Sequence, residues 1–141
     1  MGTEMQAVGK FICDLIAADT GTGGLVSLVS TRVWENAAST KTAFPCIIFS
    51  ENSSEDVVVD GGSQRLLTNC VYLIRACGIG EGFGSSSVDA IAAKLDDILN
   101  GASADTIMHC NRIRPFQRQY DIKGITYYER GGYYQLRIHG G

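Results

Sequence analysis

The side chains best suited to chemistry in this 141-residue chain belong to two histidines and five cysteines. His109 and Cys110 are neighbours, and a thiol activated by an imidazole is a common catalytic nucleophile. Their surroundings are typical of a β-strand, in which adjacent side chains point to opposite faces, so the two groups are not expected to reach each other. His139 lies beside a Gly-Gly pair, which is a poor place for a rigid catalytic base. The sequence therefore predicts no enzyme, with a small thiol enzyme left as an alternative.

The cysteines form no recognisable metal or disulfide pattern. Their number is odd, and no two are spaced as C-x-x-C, the pairing that zinc ribbons and disulfide frameworks need. We expect them to be small buried side chains in a reducing compartment. They lie at Cys13, Cys46, Cys70, Cys77 and Cys110.

No glycine-rich or serine motif predicts a bound cofactor. The segment 78–84 follows a predicted strand, but the spacing G-x-G-x-x-G would need a glycine where Phe83 stands, and no Lys-Ser or Lys-Thr pair follows. Ser85-Ser86-Ser87 lacks the G-x-S-x-G pattern of a nucleophile elbow. We therefore predict no catalytic residues, no cofactor and no metal.

The charge of the chain limits the kind of partner that it binds. The formal net charge is −3, and tight binding to a nucleic-acid backbone needs clustered Lys and Arg instead. Charged residues make up only 19%, and 17 residues are glycine, which favours a surface that partly contacts other protein copies. The sequence has no apolar run of transmembrane length and no signal-peptide pattern at Met1, so no membrane association is expected.

Periodicity predicts an α+β fold in one domain, residues 1–141, with a largely antiparallel sheet and two packed helices. Apolar residues at helical spacing predict helices over residues 4–18 and 87–99, with a short amphipathic turn near Leu25 between them. Strands are predicted for residues 44–49, 66–77, 105–118, 125–128 and 133–139.

A long β-hairpin is the most distinctive predicted element. Asp60-Gly61 favours a tight type I′ turn, which would place residues 44–59 opposite residues 62–77. Sixteen extended residues reach roughly 50 Å, whereas a compact domain of this length is roughly 37 Å across, so the distal half is expected to project. The predicted cross-strand partners are Ile47 with Ile74, Phe49 with Tyr72, and Asp56 with Arg65. The candidate interface residues are Glu51, Asn52, Ser53, Ser54, Glu55, Asp56, Val57, Val58, Val59, Asp60, Gly61 and Gly62.

In sequence, nearly the whole chain resembles the tail completion, or tail terminator, proteins of long-tailed bacteriophages. The segments that carry the resemblance run from the N-terminal helix to the Tyr-rich C-terminal strand: Ala17-Ala18-Asp19, Arg32-Val33-Trp34, Phe44-Pro45-Cys46-Ile47-Ile48-Phe49, the strand that ends at Arg75, the helix at residues 87–95, and Leu99-Asn100-Gly101.

The resemblance implies a structural virion protein that forms a hexameric ring on the end of the tail tube. Such a ring stops tube growth and joins the tail to the head connector. The implied partners are other copies of the chain, the tail tube protein and the head–tail connector protein, while DNA passes through the lumen without specific binding. The implied location is the virion tail, and the host cytoplasm during assembly. A head-closure or connector adaptor of the phage neck and a tail-tube subunit are the alternatives of the same class.

Overall fold

The fold confirms the α+β class predicted from the sequence. The computed structural model describes residues 2–30, 32–37, 44–58, 65–79, 86–104 and 108–139. The helices are α1 (Gly2–Ala17), α2 (Leu25–Val29) and α3 (Ser86–Leu99). The strands are β1 (Val33–Glu35), β2 (Cys46–Val58), β3 (Arg65–Ile79), β4 (Ser103–Ala104), β5 (Met108–Ile122) and β6 (Ile125–His139). None of the helices in these ranges is long and apolar enough to span a membrane.

The described strands form a single sheet in the order β1-β2-β3-β6-β5-β4. β1 is parallel to β2, and every other neighbouring pair is antiparallel. The four central strands have 13 to 15 residues each, whereas β1 and β4 are short. Most of the outer edge of β2 and most of the outer edge of β5 therefore lie beyond these two short strands.

The helices cover one side of the sheet, which we call the helix face. α3 directs Val88, Ile91, Leu95 and Leu99 inward, and all four are buried, as expected for an apolar stripe at helical spacing. Alternate residues of β3 and β6 meet this stripe, because side chains alternate between the two faces of a strand. The opposite side of the sheet, the open face, carries the intervening residues. The helix-face core of the sheet includes Tyr72, Ile74, Tyr134 and Leu136.

The predicted hairpin is present as β2 and β3, but its predicted register is wrong. Ile47 pairs with Ala76 and Phe49 pairs with Ile74, which is a shift of two residues from the predicted partners. Asp56 pairs with Thr68 and accepts a hydrogen bond of 2.8 Å from its hydroxyl, so it is not the partner of Arg65. Because the shift at the base is even, those side chains keep their predicted faces. The tip, residues 59–64, lies outside the described residues.

The distal half of the hairpin is part of the sheet and does not form an isolated two-stranded ribbon. β3 pairs with β6 from Leu67 to Ile79, so the inner strand of the hairpin has a partner on both sides. Of the two hairpin strands, only β2 has an outer edge, and no described strand covers this edge beyond Phe49. The structure thus replaces the two unpaired edges of the predicted ribbon by one, and the projection of the tip stays a prediction.

The last two predicted strands are one continuous strand, β6, which passes through Gly131 and Gly132. A Cβ atom on Gly131 would lie 2.1 Å from the Ile74 carbonyl oxygen, far inside van der Waals contact. The glycine therefore permits a close approach of β6 to β3 and does not end the strand. Two strands were not predicted from the sequence: the three-residue β1 and the two-residue β4.

Candidate interaction surface

The neighbours His109 and Cys110 do not form a catalytic pair. His109 is exposed, whereas its neighbour Cys110 is buried on the helix face and pairs with Leu136. Burial raises the pKa of the Cys110 thiol to about 12, so its reactive thiolate is suppressed. The prediction that adjacent positions on a strand keep the two groups apart is confirmed.

Cys46 and Cys77 face each other across β2 and β3, and their thiols are hydrogen-bonded. The pKa of Cys46 is lowered, first by the hydrogen bond from Cys77 and then by the nearby guanidinium groups of Arg32 and Arg75. Its side chain is nevertheless fully buried, with 0% exposure, so no substrate reaches the sulfur in this conformation. The pair therefore contributes to the packing of the hairpin base.

The described residues contain no metal-ligand cluster, and the cavity beside α1 is apolar. No group of three or more His, Cys, Asp or Glu side chains in these ranges is arranged to hold a metal ion. A cavity of about 350 Å³ between α1, α2 and β1 has an almost wholly apolar lining, so it offers few groups for binding or catalysis. Its lining residues are Cys13, Ile16, Ala17, Val26, Ser30 and Val33.

The outer strand β2 presents an exposed acidic segment. Residues 51–56, which we call the acidic edge, are all exposed. They include Glu51, Glu55 and Asp56, and β2 contains no Lys or Arg. None of the described basic side chains pairs with Glu51 or Glu55. Of the other predicted interface residues, Val57 and Val58 continue β2, and positions 59–62 lie outside the described residues.

The opposite outer strand, β5, is basic and almost entirely exposed. Residues 112–118, which we call the basic edge, contain Arg112, Arg114 and Arg118. Over β5 and β6 together there are five Arg residues and only two Asp and Glu residues, although the whole chain is acidic. The spacing R-x-R-x-x-x-R is visible in the sequence, but the net charge of −3 alone does not predict a basic surface.

Aromatic rings hold two of these arginines on the open face. The Arg114 guanidinium lies 4.1 Å from the centroid of the Tyr133 ring, and Arg118 lies 4.6 Å from that of Tyr120. Tyr120 stacks in turn on Tyr127 at 5.3 Å, with the two rings 13° from parallel. Such cation–π contacts restrain a long side chain without neutralising its charge. The two cations are therefore held at the sheet edge, and no described carboxylate pairs with either.

A buried carboxylate anchors this aromatic array to the centre of the sheet. Glu129 is only 7% exposed, and its Oε1 atom lies 3.0 Å from the Arg75 Nε atom in an ion pair. Its Oε2 atom accepts a hydrogen bond of 3.0 Å from the Tyr120 hydroxyl. Burial, and next the hydrogen bond to Glu129, raise the pKa of Tyr120. A buried carboxylate with a partner at each oxygen ties the β5–β6 hairpin to β3.

The fold recurs in a known particle. A solved structure titled as the virion of a native gene transfer agent (GTA) particle contains a chain that superposes on this one with a TM-score of 0.63. The match covers 92% of each chain. The likeness shows a shared fold. The sequence identity is 18%. Neither a protein-family model nor a curated protein matches the sequence.

Proposed function

We propose that this chain is a structural protein of a phage-like virion, and that it forms a hexameric ring that caps the tail tube, ends its elongation and joins the tail to the head. The observation that carries the proposal is the fold shared over 92% of both chains with a component of the gene transfer agent virion. The sequence resemblance to tail terminator proteins supports the finer assignment, because it covers nearly the whole chain.

The surface of the molecule supports a function in assembly. Two long strands, β2 and β5, have outer edges that described strands cover only in part, and uncovered edges offer main-chain groups to a second protein. The acidic edge belongs to the candidate interface, residues 51–62, through which we propose that each copy contacts neighbouring copies and other virion components. The exposed Ile113, Ile122 and Ile125 add apolar area near the other edge.

The proposed partners are other copies of the chain, the tail tube protein and the head–tail connector protein. The net charge of −3 suits a ring through which DNA slides, since like charges repel. Its place would be the virion tail, after assembly in the host cytoplasm, and the ring would work without a cofactor. Burial of four of the five cysteines gives the alternative of a thiol enzyme no accessible nucleophile at those positions.

Removal of the gene from a particle-producing strain tests the function and separates it from its closest alternatives. A tail terminator predicts tails of uncontrolled length that carry no heads. A neck adaptor predicts headless tails of normal length, and a tube subunit predicts no tubes. Electron microscopy of the particles distinguishes the three outcomes, and normal virions without this protein would overturn the proposal.

Deletion of residues 53–62 tests the candidate interface. The chain that lacks these residues is expected to keep its helix-face core, because α3, β3 and β6 supply most of the buried residues. It is also expected to fail to cap tubes, so that tail lengths become uncontrolled in a complementation assay. Asp97→Lys, an exposed change on α3, is the control and should complement fully. Normal tail lengths with the deletion would show that these residues are not the contact.

A further inference from the structure

We propose that neighbouring copies join through opposite edges of the sheet, with the basic edge of one copy against the acidic edge of the next. The inference rests on the proposed function, since it names the contact that would build the ring. Its partner is a second copy of this chain.

Both edges are available for such a contact. β1 covers β2 only at residues 47–49, and β4 covers β5 only at residues 108–109. The amide of Arg112 donates to the Asn100 side chain, and beyond this point no described group bonds to the outer edge of β5. Ile113, which is 51% exposed beside the arginines, would be buried by the neighbouring copy.

The two edges carry complementary charges, and four of them pair with no opposite charge in the described part of one chain, whereas the Arg112 Nε atom lies 3.4 Å from the Asp96 Oδ1 atom in an ion pair. Arg114 and Arg118 are held by aromatic rings and pair with no described carboxylate. On the other side of the sheet, Glu51 and Glu55 pair with no described cation. Complementary charge across an interface selects the correct partner and orientation.

The pairing register places one pair of opposite charges, Glu51 and Arg114, in adjacent rows along the strands. The row of paired residues that contains Glu51 ends at Arg112 on the other edge. The adjacent row joins Ser50 to Arg114. β2 and β5 run in opposite directions, because three successive antiparallel pairings separate them. The β2 strand of a neighbour in the same orientation therefore runs antiparallel to β5 and brings Glu51 close to the height of Arg114, whereas Glu55 lies in the row of His109 and Arg118 in the row of Cys46.

This arrangement favours a ring over a symmetric dimer. A two-fold dimer brings the same edge of both copies together, which would place like charges against each other. A contact between different edges is head-to-tail and generates a ring if the rotation closes. Pro115, which has no amide hydrogen, and the bulge between Arg112 and Arg114 limit main-chain pairing near the middle of β5. The charged side chains therefore contribute most of the selectivity there.

Charge reversal tests the contact in the full chain. One variant carries Glu51→Lys and Glu55→Lys, and a second carries Arg114→Glu and Arg118→Glu. Each alone is expected to raise the concentration at which the protein assembles by about 100-fold or more, because every contact then sets like charges together. Light scattering measures the mass, and circular dichroism with thermal melting confirms that each variant is folded. Asp97→Lys and Lys94→Glu on α3 are the matched controls and should assemble as the parent chain does.

Restoration of assembly is the decisive part of the experiment. An equimolar mixture of the two reversed variants is expected to assemble, because each edge of one variant then meets an opposite charge on the other. A single chain with all four substitutions should also assemble. If each reversed variant assembles normally on its own, or if the mixture stays monomeric, the proposed edge contact is wrong. Neither result contradicts the proposal that the parent chain forms a ring. If the parent chain stays monomeric at high concentration, the ring and the edge contact are both overturned.

Discussion

Gly131→Ala is expected to destabilise the fold strongly, because the new methyl group has no space. Its Cβ atom would lie 2.1 Å from the Ile74 carbonyl oxygen and 2.6 Å from the Arg75 Cα atom, and both are backbone atoms that cannot turn aside. β6 would have to move away from β3 by more than an ångström. Overpacking of this kind costs about 1–3 kcal/mol. Each weakened ladder hydrogen bond adds about 1 kcal/mol. We expect a loss of about 3 kcal/mol in the free energy of unfolding and a fall in Tm of roughly 10 °C.

Urea denaturation and thermal melting measure this loss, and two other glycines serve as internal comparisons. Gly132→Ala meets the Arg112 Cδ atom at 2.7 Å, which is part of a flexible side chain, so its cost should be clearly smaller. Gly21→Ala meets nothing within 4 Å and should change stability by less than about 0.5 kcal/mol. Equal losses for Gly131→Ala and Gly132→Ala would refute the close approach of β6 to β3.

Two further predictions concern the cysteines. A short pulse of N-ethylmaleimide on the folded protein should modify Cys13 alone, because the other four thiols are buried, and mass spectrometry would reveal any adduct at Cys46 that supports a thiol enzyme instead. The raised pKa of Cys110 means that its contribution to folding is complete below about pH 9 and is lost as the pH rises through about 12. Cys110→Ala should therefore reduce the fall in unfolding free energy between pH 8 and pH 10 by about 1.4 kcal/mol, and an unchanged fall would contradict the assignment.

The local elements of the fold were predictable because their signals lie in short stretches of sequence. The helix predicted for residues 87–99 corresponds to α3 (Ser86–Leu99), since its apolar spacing and its glycine stop act within a few turns. α1 was likewise predicted, with its start two residues later than observed. The long β2–β3 hairpin was predicted from alternating residues on both sides of a turn motif.

Long-range features could not be predicted in the same way. The two-residue shift of the hairpin register is already present where Val58 pairs with Arg65. The bulges at Val57/Val58 and Glu51/Ser53 offset each other at the base, and no residue type in these strands indicates either of them. The continuity of β6 depends on the approach of Ile74 to Gly131, a contact between residues far apart in the sequence. A Gly-Gly pair in the sequence alone predicts a break in the strand.

The sequence indicates one of the two edges of the proposed contact and not the other. The acidic edge lies within the predicted interface, because an exposed polar stretch on a long hairpin is visible in the sequence. The basic edge was missed because the net charge averages over the chain, whereas the sheet collects the arginines of β5 and β6 on one side. Only the strand order reveals that the two charged strands occupy opposite ends of the same sheet.

The mass of the purified chain in solution tests the central claim most directly. A ring of six copies predicts a species of six times 15.2 kDa by light scattering, with annular particles in negative-stain images. A single species of 15.2 kDa at every concentration tested would contradict the account.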